Sequence, residues 1–156
     1  MKIAVTQAGG ALQYASEALK NNENVVTIAL THDGFALGHA SNAQKNNGNV
    51  VQIAVTQNGR TLQYTSNELK NKEDVVTIAV KYYGFALRHA SNDLKNTKDV
   101  VTIIAVTHDS FALQYVSDAL KNNGNVLTIT VMQNDGALQY ASDEPKNNKD
   151  AVTIAV

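Results

Sequence analysis

The sequence predicts an all-α protein in which tandem helix-turn-helix units stack as a short right-handed α-solenoid. Three observations lead there. The chain has a fixed internal period, each period carries an apolar stripe at helical spacing, and helix-start and helix-stop residues fall at matching places in each copy. A β-solenoid or a mixed α/β repeat is the alternative, because each period also contains a run of strand-forming residues.

The period is 25 residues. Leu12, Leu37, Leu62, Leu87, Leu113 and Leu138 share one register. So do Ser16, Ser41, Ser66, Ser91, Ser117 and Ser142, and a Lys–Asn pair follows four residues after each serine. The chain reads as a single repeat domain, 1–156, with units 1–25, 26–50, 51–75, 76–100, 101–126 and 127–151 and a partial unit 152–156. Unit five carries one extra residue near Ile103–Ile104, and unit six has Pro145 where others have Leu19, Leu69, Leu94 and Leu120. A fixed period of this size means stacked supersecondary units whose equivalent side chains form columns.

The second half of each unit predicts a short helix. Leu12, Ala15 and Leu19 lie on one face, and ALQYASEAL is built mostly of good helix formers. The Lys–Asn pair suits a helix end. The first half reads two ways. On a helix, Val25 to Leu30 bury a broad apolar face, Asn24, Asn49, Asp74, Asp99, Asn125 and Asp150 serve as N-caps, and Gly34, Gly59 and Gly84 supply left-handed stop residues. On a strand, Val26, Ile28 and Leu30 alternate with Thr27, Ala29 and Thr31, which gives a threonine-bearing flat face suited to ice or surface binding. Propensity favours the strand; pattern and capping favour the helix.

The segments Ala11 to Asn21, Thr61 to Asn71, Ala112 to Asn122 and Ala137 to Asn147 share an ALQYAS-x-x-LKN pattern behind a VV-x-x-AV run. In this the chain resembles the tandem-repeat family known as domain of unknown function 4116, over essentially its whole length. The resemblance implies paired short helices in tandem and no activity. Thr-Ile-Ala (Thr27 to Ala29, Thr77 to Ala79) stands where the family tends to Leu-Ala-Ala.

Several columns carry polar chemistry. Tyr14, His39, Tyr64, His89, Tyr115 and Tyr140 form a row that reads either as a polar-aromatic groove or as a half-buried stripe with wet tips. The asparagines Asn21, Asn46, Asn71, Asn96, Asn122 and Asn147 predict an internal hydrogen-bonded ladder, and the serines predict local backbone bonds. His32-Asp33 and His108-Asp109 sit on different units, so no metal site is expected. Unit four differs from the rest: Lys81, Tyr82, Tyr83, Phe85, Arg88 and His89 concentrate cations and aromatics, the residue types of binding hot spots, and form the candidate interaction patch.

Composition narrows the function. Formal net charge is −1 with both signs interspersed, which argues against a nucleic-acid or membrane-surface partner. There is no cysteine, and no G-x-S-x-G or H-E-x-x-H motif. Catalysis needs one singular constellation, and the columns offer averages. The expectation is a non-enzymatic, cytoplasmic repeat scaffold without cofactor that binds a protein or peptide. No leader or membrane span is visible. The apolar ends, Met1 to Val5 and Val152 to Val156, predict self-association.

Overall fold

The computed structural model describes residues 8–106, 110–133 and 135–140. The described residues contain five long α-helices, one per repeat: α1 (Glu23–His32), α2 (Gly48–Gln57), α3 (Glu73–Tyr82), α4 (Lys98–Val106) and α5 (Gly124–Gln133). A six-residue 3₁₀ helix follows or precedes each of these, at Gly9–Tyr14, Gly34–His39, Gly59–Tyr64, Gly84–His89, Ser110–Tyr115 and Asp135–Tyr140. A single helical turn at Glu17–Lys20, Asn42–Lys45, Leu69–Asn71, Asn92–Lys95 and Asp118–Lys121 leads into the next long helix.

Consecutive long helices pack on one another, and so do consecutive 3₁₀ helices, giving two parallel rows around one apolar seam. The fold is an all-α helical repeat. Among the described residues there is no strand, which overturns the β-solenoid and mixed α/β alternatives and with them the ice-binding face. The physical reason is burial. Val25, Val26, Ala29 and Leu30 are buried together, as are Val50, Val51, Ala54 and Val55, and Val75, Val76, Ala79 and Val80. That is one helical face, and packing it against neighbours outweighs the β-branched residues' modest preference for extended backbone. The threonine hydroxyls turn back to their own helix: Thr31 Oγ1 donates to the Ile28 carbonyl at 2.7 Å and Thr102 Oγ1 to the Lys98 carbonyl at 2.8 Å.

The second half of the unit is not one helix but two pieces. Ala15 (φ −74°, ψ 155°) and Ser16 (φ −63°, ψ 157°) are extended and separate the 3₁₀ helix from the following turn. The Leu–Ala–Leu stripe could not show this, because the 3₁₀ helix still buries Leu12 and the extended Ala15 after it still packs into the core. The break lets each serine face the unit before it. Ser41, Ser66, Ser91 and Ser117 donate their backbone N–H to the carbonyls of Lys20, Lys45, Lys70 and Lys95 at 3.0 to 3.1 Å. Their hydroxyls donate to Oδ1 of Asn21, Asn46, Asn71 and Asn96. Ser41, Ser66 and Ser91 also accept from the N–H three residues on, which makes Ser41 and Ser91 the N-caps of their short turns. The serine and asparagine columns are thus one ladder, with a backbone and a side-chain bond in each rung. A ladder along the asparagine column is as expected, but it lies exposed rather than internal, and its partner is the serine hydroxyl rather than a turn's backbone.

Two expectations about helix ends are corrected. The N-caps lie two residues upstream of those read from the sequence. Asn22 Oδ1 accepts from Val25 N, Asn47 Oδ1 from Asn49 N and Val50 N, and Asn123 Oδ1 from Asn125 N and Val126 N. Among the described glycines none has positive φ, so Gly34, Gly59 and Gly84 are not left-handed stops. Gly9, Gly34 and Gly59 are there for proximity. A Cβ on Gly9 would lie 2.3 Å from the Ala29 carbonyl oxygen, one on Gly59 2.2 Å from that of Ala79, and one on Gly34 3.1 Å from that of Ala54. The 3₁₀ row therefore lies directly against the next long helix's backbone. Helix α4 is α-helical through Val106 with no π turn, so the extra residue of unit five is not taken up that way within it. The chain ends, His108–Asp109 and the sixth unit's Ser142 and Asn147 lie outside the described residues.

Candidate functional site

The 3₁₀ row carries the site. The helices at 9–14, 34–39, 59–64 and 84–89 start with Gly, bury Leu at the fourth position and leave the second, fifth and sixth positions partly or fully exposed. Asp33 and Asn58 cap their starts, accepting from the N–H of Phe35 and Arg60 at 2.9 and 3.0 Å. Tyr83 holds the same position in unit four and makes no side-chain cap. Its ring instead lies 5.7 Å from that of Phe85, with the Arg60 guanidinium carbon 4.7 Å from its centroid.

These residues open a groove of about 260 Å³ lined by Phe35, Arg60, Gln63, Tyr83, Arg88 and His89. The aromatic walls are held from one unit to the next. Phe35 meets Tyr64 edge-on at 6.2 Å, and Phe85 meets Tyr115 edge-on at 6.0 Å. Arg88 Nε donates to His89 Nε2 at 2.8 Å, which needs a neutral imidazole. Burial, and after it the charges of Arg88, Lys70 and Lys95, hold the His89 imidazole below its ordinary value. Lys70 donates to the Gln63 carbonyl at 3.0 Å, and burial lowers its ammonium pKa.

The sequence-derived patch divides in two. Tyr83, Arg88 and His89 line the groove, and Phe85 stacks behind Tyr83. Lys81 and Tyr82 are exposed at the C-terminal end of α3 and do not line it. The structure adds Phe35, Arg60 and Gln63 from the two preceding units. Reading the column directly after the glycine, with Phe35, Arg60 and Phe85 in succession, is the signal that would have found the first two. A larger hollow of about 470 Å³ runs along α2 beside Asn49, Gln52, Ile53, Thr56 and Gln57. Those residues come from one helix face and carry no charge, so the hollow offers less to recognise a ligand.

The Tyr/His column falls between its two readings: Tyr14 is exposed, while Tyr64, His89 and Tyr115 are half-buried. Among the described residues no three His, Cys, Asp or Glu come together to hold a metal. No described helix is long and apolar enough to cross a membrane.

No curated protein and no solved structure matches the chain. The family described as Domain of unknown function (DUF4116) matches residues 1–43, 72–118 and 102–146. Residues 44–71, between the first two matches, carry the same ladder and the same 3₁₀ helix, so the repeat continues through them. The chain belongs to the DUF4116 family.

Proposed function

We propose that this chain is a non-enzymatic scaffold that binds a protein or peptide along its 3₁₀ row. The observation that carries the reading is the groove at Phe35, Arg60, Gln63, Tyr83, Arg88 and His89, which three consecutive units build together. Repeat arrays bind on extended faces because equivalent positions line up along them. Aromatic and arginine side chains in a partly desolvated depression are the residue types that dominate binding energy. The reading places the protein in the cytoplasm and assigns no cofactor, nucleic acid or membrane to it.

A photo-crosslinking amino acid placed at Gln63, in the groove, and at Thr56, on the outer face of α2, tests this. Adducts with a partner are expected from position 63 and not from position 56. Equal labelling at both positions, or labelling at 56 alone, overturns the proposal.

A further inference from the structure

We propose that the groove takes an anionic occupant: an extended peptide segment bearing glutamate or aspartate side chains, with an apolar or aromatic residue among them. This rests on the scaffold reading above and adds the chemistry of the partner.

The chain as a whole is nearly neutral, yet the groove is not. Arg60 and Arg88 line it, and Lys70 and Lys95 stand close enough to act on His89. The ion pairs among the described residues are Lys20–Glu17 and Lys121–Asp118. In units one and five the lysine of the Lys–Asn pair is therefore neutralised by a carboxylate three residues before it. In units three and four the corresponding lysines, Lys70 and Lys95, have no such partner. Unit three places Asn67 at that position; in unit four Asn92 stands there. Neither arginine is paired with a carboxylate either, since Arg60 lies on the Tyr83 ring and Arg88 bonds His89. Two arginines without a carboxylate partner thus line the groove, with Lys70 held on the carbonyl of Gln63, where the array also departs from its own consensus. Arg60 replaces the Phe of Phe35 and Phe85, and Arg88 replaces the Gln of Gln13, Gln63, Gln114 and Gln139.

Such a cluster is self-repelling when empty and is relieved by an anion. The walls favour a peptide over a free small anion: Phe35 and Tyr83 offer apolar contact that a bare anion cannot use. Guanidinium groups pair carboxylates in bidentate geometry. The overall charge balance and the short extent of the cluster favour a peptide over a nucleic acid, which needs a long basic track.

Fluorescence anisotropy with labelled pentapeptides tests the inference, using Glu-Glu-Phe-Glu-Glu, its glutamine counterpart and its lysine counterpart on the full chain. The acidic probe is expected to bind at least about tenfold tighter than the lysine probe and to weaken as salt is raised. R60Q/R88Q, with an unchanged circular dichroism spectrum, is expected to lose about tenfold or more in affinity for it, the scale of two charge-assisted bonds. Lys20→Gln, whose charge is already paired with Glu17, should stay within about twofold. Equal binding of acidic and lysine probes, no effect of R60Q/R88Q, or no binding of any probe overturns the proposal. If the glutamine probe binds as tightly as the acidic one and is lost on Tyr83→Ala, the scaffold reading stands and the anionic one falls. A decameric single-stranded RNA that outcompetes the acidic peptide overturns the peptide assignment.

Discussion

Alanine at Gly59 is expected to destabilise the array, while alanine at Gly48 stabilises it. The contrast follows from what each new Cβ would meet. At Gly59 it would stand 2.2 Å from the Ala79 carbonyl oxygen and 2.9 Å from the Tyr83 Cβ. A carbon normally sits about 3.3–3.6 Å from a carbonyl oxygen, so the two rows must separate by about 1 Å. The oxygen cannot easily retreat, because it already accepts from Tyr83 N at 2.9 Å. Overpacking a tight site costs about 1–3 kcal/mol, and the loss of unfolded-state freedom on Gly→Ala returns about 0.4–1 kcal/mol. A contact this short puts the cost at the upper end of that range, so the net expectation for Gly59→Ala is a loss of about 2 kcal/mol, or about 4–8 °C in Tm for a chain of this size. At Gly34 the nearest oxygen is 3.1 Å away, and there the two terms nearly cancel. At Gly48, in the first turn of α2, nothing lies within 4 Å, so only the gain of about 0.4–1 kcal/mol remains. Urea denaturation followed by far-ultraviolet circular dichroism measures all three. The order Gly48→Ala above wild type, Gly34→Ala near it and Gly59→Ala below it is the expected result. A Gly59→Ala protein as stable as wild type would refute the close-approach account of this column.

Four further outcomes follow from the same geometry. Lys72 occupies the N-cap of α3 without a side-chain cap, where Asn22 and Asn47 cap α1 and α2; Lys72→Asn should raise the unfolding free energy measured in urea by about 1 kcal/mol, and a fall would show the position is not a cap. Gln44 is buried with Oε1 unpartnered, although its Nε2 donates to the Asn21 carbonyl. Gln44→Leu, the residue of the equivalent positions 19, 69 and 94, should therefore stabilise by about 1 kcal/mol, and a loss in thermal melts would show the amide bond to be worth more than the orphaned oxygen. In the ladder, a double-mutant cycle on Asn71→Ala and Ser91→Ala should return a coupling of about 0.5 kcal/mol, the low end for an exposed hydrogen bond; a value near zero removes the side-chain bond from the account. His89 resists protonation when folded, whereas the unfolded chain protonates it near its ordinary value. Its contribution is therefore fully present above about pH 6.5 and is lost as pH falls towards the depressed folded value. His89→Tyr, which matches Tyr64 and Tyr115, should flatten that part of the stability profile, and parallel profiles for the two proteins would contradict it.

Much of the architecture was legible from the sequence because a repeat prints each structural requirement several times. The period, the buried leucines and the asparagine ladder all follow from the columns. The break at Ala15–Ser16 was not legible, since Leu12 and Ala15 satisfy a helical stripe and a broken one equally. The position of the N-caps was ambiguous because both Asn22 and Asn24 precede the valine pair, and only the bond to Val25 N decides between them. The glycine column misleads because a glycine just after a helical stretch suggests a left-handed stop, whereas its cause is a carbonyl from the next unit. Half of the groove was visible as the unit-four cluster. Arg60, Phe35 and Gln63 were hidden because they are 20 to 54 residues from Tyr83, Arg88 and His89 along the chain and meet unit four only through stacking.

Units three and four contain the departures from the repeat that are hardest to explain by folding. Tyr83 gives up an Asx cap that Asp33 and Asn58 keep, a loss of about 0.5–2 kcal/mol, and Arg60 gives up the aromatic contact that Phe35 makes with Tyr64. Lys72 gives up a cap too, but it does not line the groove. If loss of consensus were only drift, the exceptions would bear no relation to one another in space. Three of them, Arg60, Tyr83 and Arg88, meet around one depression, and Lys72 does not. Local folding rules are broken most often at sites that do something other than fold. The two kinds of exception are separable in one comparison. Restoring the cap with Lys72→Asn should raise stability and leave binding of the acidic probe unchanged, whereas restoring the consensus with Arg60→Phe should weaken that binding whatever it does to stability. Identical binding by both variants would return the unit-three and unit-four exceptions to drift.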